Sequence, residues 1–225
     1  SAGGVNVTAT MEYKPVETAP EDIALKVTVA GLRGGHSGLE ICENRANANK
    51  LVARFLQMAI RDYEARLVSW HGGNMRNAIP RESSAVITIP EELLEEVNEL
   101  VAECKEVFTD EYYGVEHALE MTLEQVEVSE LQVPEDIQDN IVDAVLACHD
   151  GVLRNIPSMP HIVETSSNLA IVNVSPTAAE VLILARSSSE TMMDYVTTML
   201  ESCFNMAGMK VEYSGRYGAW QPNFD

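Results

Sequence analysis

The chain has 225 residues, 35 acidic against 15 basic, for a formal net charge of −20, with 46% apolar and 22% charged residues. That composition supports a packed core rather than disorder, and the acidic balance excludes the basic footprint that nucleic acid or an anionic membrane surface requires. The apolar runs break off before a membrane span is complete, and the opening Ser1-Ala-Gly-Gly-Val5 has neither the basic region nor the apolar core of a signal peptide.

Val5, Val7, Ala9, Met11 and Tyr13 alternate with polar residues, the period of a half-buried strand. Residues 15–20 read as a turn between prolines. Ile23, Leu25, Val27 and Val29 alternate again, and two such strands in succession suggest an antiparallel pair. The run Gly31-Leu-Arg-Gly-Gly-His-Ser-Gly38 then places four glycines in eight residues around a histidine. Such a backbone turns sharply or approaches another group closely. It presents a side chain whose ordinary pKa is near neutrality. A solvated histidine on a tight turn is the plainer alternative for His36.

Leu51, Val52, Phe55, Leu56, Ala59, Ile60 and Tyr63 share one helical face, which predicts a helix over 45–66. A short strand over 68–71, a Gly-rich loop over 72–77 and a strand over 84–89 follow. Pro90-Glu-Glu92 opens a second helix, with proline and acids in its first turn, and Gly114 is a plausible stop. Much of the acid lies between Glu91 and Glu127 and reads as a solvated helix face plus loops. Leu119, Met121 and Leu123 form a strand, and Pro134 opens a third helix. Residues 151–162, with Pro157 and Pro160, read as a loop. Residues 167–174 and 180–185 read as a hairpin. Ser187-Ser-Ser-Glu190 can cap a fourth helix, Gly208 can end it, and 209–213 is a last strand.

The order is a βαββα unit written twice. It implies an α+β, two-layer sandwich: a mainly antiparallel sheet of about eight strands with helices on one face. Four cysteines, Cys42, Cys104, Cys148 and Cys203, lie far apart without a C-x-x-C, as expected of reduced thiols in the cytoplasm.

A complete catalytic centre is not legible. The five histidines, His36, His71, His117, His149 and His161, form no H-x-x-x-H, H-x-D or H-E-x-x-H pattern. His149-Asp150 and His161-x-x-Glu164 are the nearest approaches to ligand pairs and read better as polar loop clusters. No nucleophile elbow or phosphate loop is present. Substrate-type contacts remain: His36; Asn74, Arg76 and Asn77 in the Gly-rich loop; and Arg186 at the end of an apolar strand. An arginine there can grip a carboxylate in bidentate fashion. A surface ion pair is the alternative for Arg186, and a turn residue the alternative for Asn77.

Leu32-Arg-Gly-Gly-His-Ser-Gly-Leu-Glu-Ile41, Asn47-x-Asn-Lys-Leu51 and His71-Gly-Gly-Asn-x-Arg-Asn-Ala-Ile-Pro-Arg81 resemble the lid domain of the aminoacyl-histidine dipeptidases. These belong to the co-catalytic zinc exopeptidases, with the carnosinases, aminoacylases and carboxypeptidase G. Glu164-Thr-Ser-Ser-Asn-Leu-Ala170, Ala185-Arg-Ser-Ser188 and Tyr217-Gly-Ala-Trp-Gln-Pro222 extend the resemblance over essentially the whole chain.

The resemblance implies a division of the chain. Residues 1–21 would leave a catalytic domain lying outside the sequence, 22–128 and 129–216 would be the two halves of the lid, and 217–225 would return to that domain. Two zinc ions would sit there, with no metal held by this chain, which would be inactive alone. His36 would stabilise the oxyanion formed from the substrate carbonyl, Asn77 would contact substrate, and Arg186 would bind the C-terminal carboxylate of a dipeptide. The implied partners are a dipeptide such as Xaa-His, the chain's own catalytic domain and a second copy in a homodimer. A non-catalytic dimerisation module, or the lid of a related zinc deacylase or tripeptidase, is the alternative.

Overall fold

A computed structural model describes residues 2–217. The motif segment 218–222 and the rest of the 217–225 segment, Tyr217 apart, lie outside the described residues. In chain order the elements are β1 (Gly3–Glu12), β2 (Val16–Glu17), β3 (Asp22–Ala30), β4 (Gly35–His36), α1 (Ala48–Asp62), β5 (Arg66–Gly72), β6 (Ala78–Ile79), β7 (Ser83–Pro90) and α2 (Leu94–Glu111). There follow β8 (Glu120–Val126), β9 (Leu131–Gln132), α3 (Glu135–Ala147), β10 (Gly151–Ile156), β11 (Met159–Val174), β12 (Ala178–Ser187), α4 (Glu190–Met206) and β13 (Lys210–Tyr217).

One antiparallel sheet of nine strands dominates, in the order β13-β1-β12-β11-β5-β7-β3-β8 with β10 paired to β11. The helices pack in the row α2-α1-α3-α4 against it. The expected antiparallel sandwich with helices on one face is therefore observed. The doubling is visible in the strand order. One unit reads β5-β7-β3-β8, and the other reads β11-β12-β1-β13. Val172 pairs with Gly72 and Val174 with Trp70 where β11 and β5 run antiparallel at the centre. The units thus meet about an approximate two-fold axis.

Two expectations need correction. The strand at 5–13 does not pair with the strand at 23–30. Both edges of β1 are taken by β12 and β13, and both edges of β3 by β7 and β8. The proline-bounded segment 15–20 carries the chain from one unit to the other instead. Residues 151–162 are not a loop but the β10–β11 hairpin. Its prolines lie at the turn and beside it, where no ladder donor is needed, and its irregular register obscures the alternation.

α1 is also shorter at both ends than its apolar stripe suggests. Asn47 caps it, accepting from the Asn49 and Lys50 amides, and the chain is extended again by Arg66. Asn47 Nδ2 also donates to the Leu169 carbonyl in the other unit at 2.8 Å. Asn49 Nδ2 donates to Gly72 O, and Asn49 Oδ1 accepts from Ser83 Oγ at 2.8 Å. Ser83 in turn accepts from the buried Trp70 indole at 3.0 Å. The Lys50 ammonium donates to the carbonyls of Val145, Leu146 and Cys148, capping the C-terminus of α3. Asn47 and Lys50 of this motif therefore clamp the two units together, while Asn49 braces the first unit internally. Trp70, Phe55, Phe108 and Phe204 are fully buried in the shared core, each such burial being worth roughly 1.5–3 kcal/mol.

Candidate functional site

His36 sits on β4, paired with Ala78 of β6, and is exposed. Its Nδ1 accepts from the Gly38 amide at 2.9 Å and the Leu39 amide at 3.3 Å. With Nδ1 occupied as an acceptor, the neutral ring carries its proton on Nε2, leaving one hydrogen-bond donor free. The backbone is held as firmly as the ring. The His36 amide donates to Glu40 at 2.6 Å, and Arg45 Nη1 donates to the Gly34 carbonyl at 2.7 Å.

Glu116 closes the base of this loop. It is buried, and its two carboxylate oxygens accept from the Arg33 amide at 2.9 Å and the Ala46 amide at 3.0 Å. One side chain thus pins both ends of the segment carrying His36. Sequence reasoning missed it, because Glu116 lies within the acidic stretch that reads as solvated. Its position just after Gly114, a turn glycine with positive φ, is the one available signal.

Asn77 belongs to the loop between β5 and β7, and its carbonyl accepts from the Ser37 amide at 2.9 Å. Asn168 of β11 holds that loop from the other unit. It is buried, and its Nδ2 donates to Ala78 O at 2.9 Å and Arg76 O at 3.4 Å. Arg186, at the end of β12, donates to Ser37 Oγ at 3.5 Å and to the Tyr217 hydroxyl at 3.4 Å. Gly38 lies between two of these groups. A Cβ added there would be 3.1 Å from His36 Cε1 and 3.2 Å from Arg186 Cζ. Asn77 and Arg186 line a common pocket of about 140 Å³. The three residues to which the resemblance gives roles, His36, Asn77 and Arg186, therefore converge, two from one unit and one from the other. Asn74 lines a separate, larger pocket beside His71 and Arg81.

The other polar clusters have structural partners. His149 Nδ1 meets Ser167 Oγ at 2.5 Å, and burial pushes the imidazole pKa down. Burial pushes the Asp150 carboxyl up, opposed by the hydrogen bond it accepts from the Leu169 amide. Glu164 pairs with Arg154 at 2.7 Å. Among the described residues, no group of three or more His, Cys, Asp and Glu side chains gathers as a metal-holding set. No described helix is long and apolar enough to cross a membrane.

A model of the peptidase dimerisation domain matches residues 23–116, which run through the first unit from β3 to the end of α2, with its glycine-rich loop but without β8. Over residues 23–116 the chain is similar to that family. The similarity runs beyond that domain. The chain is 34% identical over 222 residues to the cytosol non-specific dipeptidase of Escherichia coli, covering 99% of this chain and 46% of the relative. It superposes on the aminoacylhistidine dipeptidase of Vibrio alginolyticus with a TM-score of 0.95 and 33% identity, over 100% of this chain and 46% of that one. The chain thus spans about half the length of the relatives it matches. The two units together reproduce the corresponding region of the Vibrio enzyme.

Proposed function

We propose that this chain is the lid and dimerisation part of a zinc-dependent dipeptidase that hydrolyses Xaa-His and other dipeptides as a cytoplasmic homodimer. The observation that carries the reading is the meeting of His36 and Arg186 across Gly38, from different units. In this reading the Arg186 guanidinium takes the C-terminal carboxylate of the dipeptide, and Asn77 contacts the peptide beside it. The His36 Nε2–H donates a hydrogen bond to the scissile carbonyl oxygen as negative charge develops there. The described residues do not fit a zinc site. The metal would be held by residues outside them, and the roles here are confined to this chain's own side chains. The 225 residues alone would hydrolyse nothing.

The test is His36→Ala in the full-length protein. Turnover of a Xaa-His dipeptide should fall about 10²–10³-fold, as for loss of one oxyanion donor, with little change in KM and in bound metal. Unchanged turnover would leave only the second reading, a dimerisation module without ligand contacts. That reading is favoured by the matched family, whose description speaks of dimerisation alone.

A further inference from the structure

We propose that the tip of the β10–β11 hairpin is a docking arm for the half of the full-length polypeptide that lies outside this chain, seated in an uncharged, apolar cleft of that half beside the His36–Arg186 site. The proposal rests on the reading above only in that a second half accompanies this chain.

The strand registers show where the arm points. Thr165 of β11 pairs with Ser187 of β12, and Gly3 of β1 pairs with the same Ser187. That row is the end of the sheet. The Ser188 amide still donates to the Glu164 carbonyl at 3.1 Å, but β12 goes no further. β11 does go further, and residues 159–163 run on with β10 as their partner strand. Five residues at about 3.3 Å each carry the hairpin on the order of 15 Å past the sheet.

The candidate site lies at this same end. Arg186 directly precedes Ser187 on β12, and it approaches His36 across Gly38. The strand ends of the described chain are here too. Gly4 pairs with Tyr217, so β1 begins and β13 finishes side by side. The relatives are about twice as long as this chain, which covers 46% of each. In the reading above, their other half joins at these two strand ends. The arm therefore projects toward the side on which that half would sit.

The arm is held stiff. Arg154 and Glu164 brace its base through bonds of 2.7 and 3.1 Å. Pro157 occupies the turn, and Asn155 Nδ2 donates to the Pro160 carbonyl across the tip at 2.8 Å. An element ordered in advance loses little conformational freedom on docking.

Its composition departs from the rest of the molecule. Charged residues make up 22% of a chain whose net charge is −20. Residues 155–163, Asn-Ile-Pro-Ser-Met-Pro-His-Ile-Val, contain no Asp, Glu, Lys or Arg. Met159 is 44% and Ile162 39% exposed, and Pro157, Pro160 and His161 are exposed between and around them. An exposed apolar tip standing clear of the core marks a surface that another surface covers. The lack of charge fits a desolvated seat, where an ionic group would need a paired partner. Met159 suits an irregular cleft, since its unbranched thioether adapts to the space offered.

The experiment uses the full-length protein with the photoreactive residue benzoylphenylalanine replacing Met159. After irradiation and digestion, the cross-linked peptides are mapped by mass spectrometry. The expected product joins residue 159 to a peptide of the same subunit that lies outside residues 1–225. A covalent dimer on a denaturing gel would give the seat to a second copy and overturn the proposal. A cross-link confined to residues 1–225, or none at all, would also overturn it. Hydrogen exchange supplies an independent check in the full-length double variant Met159→Asp, Ile162→Asp. Residues 155–163 should exchange about tenfold faster than in the unaltered protein, as for loss of an interface anchor. Unchanged exchange at 165–174 would show that the sheet is intact in the variant. No acceleration at the tip would mean that nothing covers it. Either failure leaves the His36→Ala turnover test to decide the lid reading by itself.

Discussion

The two units share a strand order and differ in what joins the strands. In the first, residues 31–47 link β3 to α1 and carry His36, and residues 73–82 link β5 to β7 and carry Asn77. In the second, β11 and β12 are joined by the tight turn at Ser175, whose amide donates to Ala178 O at 2.8 Å. The second unit also has no counterpart of the His36 loop, because the whole first unit lies between β1 and α3. It contributes Arg186 and Asn168 from its strands instead. One copy of the fold thus supplies long loops, and the other supplies the wall against which they are held. The site forms at the seam because pairing of β5 with β11 lays the first unit's loop over the second unit's strand.

The sharpest way to break this arrangement is to put the same methyl group at the seam and at the site. A Cβ at Gly72, which pairs with Val172 across the seam, would overlap Asn49 Oδ1 and Ser83 Oγ, both buried beneath that strand. Gly72→Ala should destabilise the chain by on the order of 3 kcal/mol, by overpacking and by stranding buried polar groups. Gly38→Ala meets only side-chain atoms of His36 and Arg186, at 3.1 and 3.2 Å, which need give by only a few tenths of an ångström, so its cost should stay below about 1 kcal/mol. Its effect should appear in turnover of the full-length protein instead. Urea unfolding of both variants checks the contrast, and equal costs would mean that seam and site are not mechanically distinct.

Glu116 gives the next largest effect. Glu116→Gln keeps one acceptor and turns the other oxygen into a donor facing an amide donor. The loss should be about 1–3 kcal/mol, the range for stranding a buried donor. Hydrogen exchange should speed up over residues 33–46 and remain slow in β11 and β12. Uniform acceleration across both units would show that Glu116 supports the fold at large rather than the His36 loop.

The scaffold was legible because its signals are periodic and local. Alternation gave β1, β3 and β12, apolar stripes gave the four helices, and the doubling showed in element order. Strand partners were not legible, since β1 finds its neighbours more than 160 positions away. The β10–β11 hairpin was hidden by prolines that sit where no donor is required. For the site, glycine density marked His36, and a lone cation ending an apolar strand marked Arg186. Asn168 carried no such mark, and Glu116 had only the turn glycine at 114 before it. Their importance comes from burial, which places a polar side chain against a backbone from a distant segment and leaves no local pattern.

The smallest expected effect concerns how each unit ties its two helices together. In the first, Arg54 of α1 donates to Glu111 of α2 at 2.6 and 2.9 Å, with its guanidinium 4.7 Å from the Phe108 ring centroid. In the second, the one side-chain hydrogen bond between the corresponding helices among the described residues is a sulfur contact, Cys203 Sγ to Ala144 O at 3.4 Å. The hydrogen bond from Arg54 holds the Glu111 carboxyl below its ordinary pKa, against a smaller opposing effect of desolvation. A lowered folded pKa contributes stability that is complete above the unfolded pKa and is lost as pH falls through the folded one. Both partners are substantially exposed, so Glu111→Gln should cost less than about 1 kcal/mol at neutral pH. The difference between the two proteins should then shrink to nothing as pH drops below the usual carboxylate range, because the protonated acid attracts Arg54 no better than the amide does. Urea unfolding at neutral and acidic pH measures this directly. A difference that survives at low pH would assign the α1–α2 contact to packing of Arg54 on Phe108, and the two units would then tie their helices by the same nonionic means.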